Sequence, residues 1–377
     1  MTGIIYFLLG LQVFQTYLIM IPLIFPLIYI FYKTPHTKIF TINFFLLAAF
    51  SVMYAAIGGI YGTVNVYYAG LIIISYLLGS VIATQKKSSK EYYKVVLYYL
   101  IGVGIHGILT YYYNYSRDIF DRNIIEFWSK TPFSATGQSV LLNSFYSLSP
   151  YFLFVEKRKI VKITMIVFIA LIIAYTFYLG TRSSLIVFLL SCGIYYIYTL
   201  YKEKTFRINK ILTHFVVIAT IVIMYSIDFL SIKTIIENSV MFTRFNDDAI
   251  YLSDIYRFDL LRTSIEYLFR RPFGNVQEYT FAHNLWLDVA RLTGIFPFIL
   301  LVAFSISSYK NLLEFVKIKS ILYDLRIMIF LILFGALIIF FFEPILETAF
   351  SFFIYFVFSC GFISVKVLET RKQRNCE

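Results

Sequence analysis

His283 stands beside Asn284 at the head of an apolar run, in the stretch "FAHNLWLDVARLTGIF" (281–296). A histidine that is neutral near pH 7 can take a proton from an attacking hydroxyl, so His283 is a candidate general base. The competing reading is a capping side chain at the headgroup level of a membrane. Further along the same run, Asn284, Asp288 and Arg291 share one helical face at offsets of four and three. That spacing predicts an Asp288–Arg291 ion pair facing the interior of a helix bundle, next to a wet cavity.

Two more arginines have the surroundings of an anion site. Arg182 lies in the tight turn of "YLGTRSSLIVF" (178–188), between two apolar runs, beside the hydroxyls of Thr181, Ser183 and Ser184. A guanidinium at a helix N-terminus, with its free amides and dipole, makes a phosphate cradle; interfacial anchoring is the alternative. Arg257 lies in a segment that reads as an amphipathic helix, Asp254 to Arg270, capped by Ser253 or Asp254 and stopped before Pro272. With about 100° per residue, Phe258, Leu260, Leu261, Ile265, Leu268 and Phe269 fall on Arg257's half of the wheel. Asp259, Arg262, Glu266 and Arg270 fall opposite. Arg257 is thus the arginine on the buried side, either paired with Asp254, snorkelling, or holding an anion. Arg244, in the same loop, joins the candidate anion ligands.

These residues need a scaffold, and composition supplies it. The chain has 377 residues, 60% of them apolar, and a mean hydropathy of +0.77. By the rule that a span takes about 20 mostly apolar residues, about eleven (10–12) segments qualify. They are 11–32, 40–60, 67–84, 95–113, 137–155, 161–179, 184–201, 211–230, 285–307, 327–342 and 349–366. In lipid only helices or closed barrels satisfy every backbone group, and unbroken apolar runs exclude the barrel. The expected fold is all-α: a single polytopic membrane domain over 1–377. The first segment carries no charge before Lys33 and reads as a retained signal-anchor.

The net charge of +12 is not a nucleic-acid footprint. Most of the 33 basic residues, largely lysine, fall in short segments on one side of the predicted spans, from Lys33 through Lys86 and Lys157 to Arg374. This positive-inside pattern puts that side and the C-terminus in the cytoplasm. The opposite side carries mostly arginine, whose planar fork suits phosphate and carboxylate. Its two long loops are 114–136 and 231–284, and the second is large enough for a small subdomain. Of the four histidines only His283 is expected on this side near the bundle; His36 falls in a cytoplasmic turn, and His106 and His214 fall within spans. Three cysteines show neither metal spacing nor a disulfide framework. Nucleotide-binding and metalloprotease motifs are absent, and no carboxylate cluster on an outer loop has metal-holding form, so neither cofactor nor metal is expected. Outward-facing chemistry would then need an already activated substrate. Glu343 and Glu347 in "FFEPILE" serve either the same cavity or a helix terminus.

The order of the motifs "GTRSS" (180–184), "YRFDLLRTSIEYLFRRPFGN" (256–275) and "AHNLWLDVARLTGIF" (282–296) resembles the O-antigen polymerase and ligase superfamily, the Wzy- and WaaL-type proteins. The resemblance covers roughly 95–366 and is densest over 180–300. It implies a GT-C-like, metal-independent inverting glycosyltransferase of the bacterial plasma membrane, working at the outer face. The implied substrate is an undecaprenyl-diphosphate-linked oligosaccharide as donor and acceptor, with a chain-length regulator as a further partner. Carried over, Arg182 and Arg257 hold the diphosphate and His283 activates the acceptor hydroxyl; Arg244, Asn284 and Arg291 join the substrate-binding set. Two departures stand out: the turn reads Thr-Arg-Ser, and Arg291 occupies a position where an acidic residue is common. The implied activity is repeat-unit polymerisation. Transfer to lipid A-core by a ligase is the alternative within the class, and lipid-linked sugar transport the alternative outside it. A transporter predicts internal repeats and broken helices with polar groups at the midplane, whereas here they gather at the outer end.

Overall fold

Apolar runs become helices wherever the computed structural model describes the chain: residues 2–13, 22, 24, 28, 39–85, 87–117, 119, 123–203 and 249–374. The expected span at 211–230, most of that at 11–32, and Arg244 with His36 and His214 lie outside the described residues. The structure is mostly helical, with 13 α-helices among the described residues. In chain order they are α1 (Thr2–Leu11), α2 (Ile42–Ile60), α3 (Tyr67–Thr84), α4 (Ser88–Tyr115), α5 (Ala135–Pro150), α6 (Lys159–Leu179), α7 (Arg182–Glu203), α8 (Ala249–Arg270), α9 (Leu285–Thr293), α10 (Ile295–Lys317), α11 (Tyr323–Phe340), α12 (Ile345–Thr348) and α13 (Phe350–Arg374). Eight of these, α2, α3, α4, α6, α7, α10, α11 and α13, are long and apolar enough to cross a membrane. The chain is thus an all-α protein of multi-pass type.

Local signals fix the ends. Thr41 caps α2 by accepting from Phe44 N–H at 3.3 Å, and Ser134 caps α5 by accepting from Gly137 N–H at 3.0 Å. Gly180, at φ 65°, ends α6 in the left-handed conformation and leads directly into α7. Helix α13 is nearly all buried and packs along α3, while α1 packs along α4. The α3–α13 contact is backbone to backbone: a Cβ on Gly79 would lie 1.9 Å from the Phe358 carbonyl oxygen, and one on Gly361 2.1 Å from that of Tyr76. Small residues permit such close approach where lipid gives no hydrophobic drive to pair helices.

Helix α5 is too short and too polar to qualify as a span, yet all of it except Thr136 is buried. Its serines turn inward on the backbone, Ser144 to Leu141, Ser147 to Ser144 and Ser149 to Phe145, so burial leaves few donors stranded. A π-helical turn, Tyr151–Val155, completes the run expected at 137–155.

Two expectations need correction. The loop at 114–136 contains a β-hairpin, β1 (Asn123–Ile125) antiparallel to β2 (Pro132–Ser134), which the all-α reading omits. Asn114 at the end of α4 holds it as a strand would, exchanging 2.8 Å hydrogen bonds with the N–H and carbonyl of Ile125. His106, within a helix of spanning length as expected, reaches the same hairpin and meets Glu126 Oε1 at 2.9 Å. Burial would raise the Glu126 carboxyl, but His106 and the backbone N–H groups of Trp128 and Ser129 hold it at about 2. Finally, the run expected to span from 285 to 307 is two helices. Gly294, at φ 89°, separates the nine-residue α9 from α10, so the membrane-length helix begins at Ile295.

Candidate functional site

The 270–276 loop and α9 clasp each other. Val276 N–H and Asn275 N–H donate to the carbonyls of Arg291 and Leu292 at 3.0 and 3.2 Å, and Ile295 N–H donates to Pro272 at 2.8 Å. These bonds satisfy the open C-terminal end of α9. They need Gly274 and Gly294, both at positive φ: a Cβ on Gly294 would sit 2.2 Å from the Pro272 carbonyl oxygen. Leu260, Val276, Tyr279 and Ala282 form a small core between α8 and this loop, with Tyr267 and Leu287 against it.

Asp288 holds the turn that carries His283. It is buried, and it accepts from Ala282 N–H at 2.6 Å and from Asn284 N–H at 3.1 Å, the residues on either side of His283. His283 itself has φ 52°, a left-handed conformation that a non-glycine residue adopts at a cost of about 1–2 kcal/mol. The two bonds from Asp288 offset that cost and fix where the imidazole points. Burial pushes the Asp288 carboxyl up, while Ala282 N–H and Arg291 pull it down; the net direction is upward. Asn284 spends its carboxamide oxygen locally, accepting from Leu287 N–H at 3.2 Å as the N-cap of α9.

Arg291 is turned inward, as its helical face predicts, and lies 3.6 Å from Asp288. Its closer partner comes from α12: Nη2 donates to both oxygens of Glu347 at 2.5 and 2.6 Å. The ring of Phe281 lies 5.9 Å beneath this guanidinium and 6.1 Å from the His283 ring. Burial lifts the Glu347 carboxyl to about 7, against the pull of Arg291.

The third segment to arrive is the start of α7. Ser183 Oγ donates to Glu343 Oε1 at 3.0 Å, and Ser184 Oγ hydrogen-bonds to Ser139 of α5. The other oxygen of Glu343 lies 3.8 Å from His283 Nδ1, and neither atom has a hydrogen-bond partner among the described residues. Glu343 is buried while His283 is about a quarter exposed. With Nδ1 turned toward Glu343, the Nδ1–H tautomer is the one that has its lone pair on Nε2. The chemistry available is proton abstraction by Nε2, with Glu343 orienting the ring and offsetting the charge that forms.

The structure therefore gathers His283, Asn284, Asp288 and Arg291 with Glu343, Glu347 and the first turn of α7, where Arg182 stands next to Ser183. Arg257 is half-buried on α8, beside the packed Leu260, and no hydrogen bond or ion pair joins it to that cluster among the described residues. Glu343 is the member whose role the sequence left open. Its signal was a glutamate before Pro344 between two apolar runs, and its partner Ser183 is 160 residues away. A comparison with family models finds none that matches the chain, and a comparison with curated proteins finds no match either.

Proposed function

We propose that the chain is a membrane glycosyltransferase that polymerises lipid-linked repeat units of a bacterial surface polysaccharide, O-antigen or a related glycan. The observation that carries this reading is the meeting of His283, Glu343 and the first turn of α7 at one end of the bundle. In this reading that end faces away from the lysine-rich side and the cytoplasm, the fold is GT-C-like, and the plasma membrane houses it. The bond broken joins a sugar carbon to a diphosphate, a good leaving group; the bond formed joins that carbon to an acceptor hydroxyl. His283 Nε2 takes the acceptor's proton, and Arg182 and Arg257 neutralise the charge growing on the diphosphate. Arg291 acts indirectly here, its Nη2 engaged by both oxygens of Glu347 and its task the positioning of α12.

The test is complementation with His283→Ala and Arg257→Lys in a host lacking its own polymerase, read as a glycan ladder with protein abundance measured alongside. The expected result is collapse of the ladder to a core-plus-one-unit band at normal protein level. Loss of that single band as well would replace the reading with a ligase or flippase. A full ladder from both variants would remove these residues from the site.

A further inference from the structure

Over its described side chains, residues 257–270, helix α8 has three faces, and two of them are accounted for. Leu260, Ser264 and Leu268, at spacings of four, are buried against the loop and α9. Asp259, Arg262, Glu266 and Arg270 form an exposed polar stripe, in which Glu266 pairs with Arg262 at 3.5 Å and Arg270 at 3.7 Å. Between them runs a third stripe, Phe258, Ile265 and Phe269, which are 73%, 51% and 70% exposed. The sequence pattern assigns these three to the same buried half as Leu260 and Leu268. Among the described residues, nothing covers them. An amphipathic helix that packs only on its own chain has no reason to present two phenylalanines and an isoleucine outward in register.

The covering surface is identified by what the stripe joins. Phe273, just beyond α8 and itself exposed, packs its ring on that of Phe296 with centroids 6.4 Å apart. Phe296 opens α10, a helix of membrane-spanning length and hydropathy. From Phe296 an exposed apolar row continues down α10 through Ile299, Ile306 and Leu313, the pattern of a helix side that faces lipid when the helix spans a bilayer. The stripe on α8 thus leads, by way of Phe273 four residues beyond Phe269 and its contact with Phe296, to the outward apolar row of a helix of membrane-spanning length. Aromatic and branched apolar side chains beside arginines are the composition of a helix lying in a bilayer interface.

We infer that α8 is an interfacial helix: Phe258, Ile265 and Phe269 enter the lipid of the leaflet at the His283 end, and Arg262 and Arg270 face the phosphate headgroups and water. The partner is the phospholipid surface itself. The helix then lies along the bilayer boundary, and Arg257, next to Phe258, is held at headgroup depth. The inference stands whether or not the chain is a glycosyltransferase.

Nitroxide labels report the depth directly. In a Cys192→Ser, Cys376→Ser background, Phe269→Cys, Ile265→Cys and Arg262→Cys are each spin-labelled and reconstituted in phosphatidylcholine/phosphatidylglycerol nanodiscs. Collisions with oxygen and with a water-soluble nickel chelate are then compared. Labels at 265 and 269 are expected to show an oxygen-to-nickel ratio several-fold above that at 262. Equal ratios at all three positions would put the stripe in water and overturn the inference. Dipolar broadening at 269, present in singly labelled protein and lost on dilution with unlabelled protein, would assign the stripe to a second copy and overturn it equally. The three positions are exposed, and an unchanged elution profile for each variant controls for misfolding.

Discussion

Replacing Asp288 by asparagine should release the turn at His283 without altering the shape of α9. The aspartate accepts two backbone N–H groups, from Ala282 at 2.6 Å and from Asn284 at 3.1 Å. Asparagine has one acceptor oxygen and an NH2 that donates, so it keeps one of these bonds and strands the other N–H in a buried position. A stranded buried donor costs about 1–3 kcal/mol. Taking about 2 kcal/mol as the penalty for the closed turn, local opening becomes roughly 30-fold more frequent, since 1.4 kcal/mol is a factor of ten. Hydrogen exchange measured by mass spectrometry on peptides covering 278–288, in detergent or nanodiscs, reads this opening directly. The expected result is exchange about 30-fold faster at the Ala282–Asn284 amides, with protection in α11 and α13 unchanged. Asp288→Glu, which keeps two acceptor oxygens, should recover part of the protection. If Asp288→Asn leaves the exchange of those amides as in the wild type, Asp288 does not hold the turn, and the account of how His283 is positioned fails.

Two further outcomes are expected. Gly79→Leu brings a Cβ to within 1.9 Å of the Phe358 carbonyl oxygen and must part α3 from α13, whereas Gly70→Leu on the same helix meets open space; overpacking of this kind costs about 1–3 kcal/mol or more, so only the first should lower the thermal midpoint, and equal midpoints would refute the close contact. Because burial lifts Glu347 from the ordinary 4.5 to about 7, the folded protein holds that proton more tightly than the unfolded chain, and the stability linked to it declines as pH rises through that window. The midpoint of the wild type should therefore fall relative to that of Glu347→Gln between about pH 5 and pH 8, and parallel curves would refute the shift.

Hydropathy made most of the fold legible, because a helix in lipid must be apolar over a fixed length and nothing else in the chain mimics that. The runs at 40–60, 67–84 and 161–179 became α2, α3 and α6 nearly residue for residue. The break at Gly294 was hidden by the same criterion, since "LTGIFPF" is apolar on both sides of the glycine. Helix-stop reasoning holds the missing signal: a glycine just after the last periodic residue, with proline three positions on. On α8 the wheel separated apolar from polar correctly but merged two surfaces. Phe269 and Leu268 are alike to a hydrophobicity scale, and only the packed partner distinguishes a side chain meeting protein from one turned outward. In the site, Asp288–Arg291 was readable because its spacing is local. The pairings of Arg291 with Glu347 and of Ser183 with Glu343 were not, because no periodicity spans 56 or 160 residues.

The break at Gly294 also changes what the ionisable residues cost. On one continuous span from 285, Asp288 and Arg291 would enter the hydrocarbon, where each charge is expensive even when paired. With α9 a separate short helix, they lie outside the helix of membrane-spanning length, on a turn whose open end is closed by the 270–276 loop, and that longer helix starts on Ile295. Burial among protein groups still disfavours charge, which is why Asp288 and Glu347 are both shifted upward, yet each has Arg291 within reach. Arg291 therefore ties two acidic residues from different segments into one assembly. Removing its charge should do more than removing either acid, because it leaves the buried Asp288 carboxylate and the partly exposed Glu347 carboxylate both without a counter-ion. The His283–Glu343 pair stands next to this tie and depends on it for register: α12 follows Glu343 directly, and α9 follows His283 directly. A single guanidinium thus bears on the spacing between His283 and the Glu343 carboxylate that faces it.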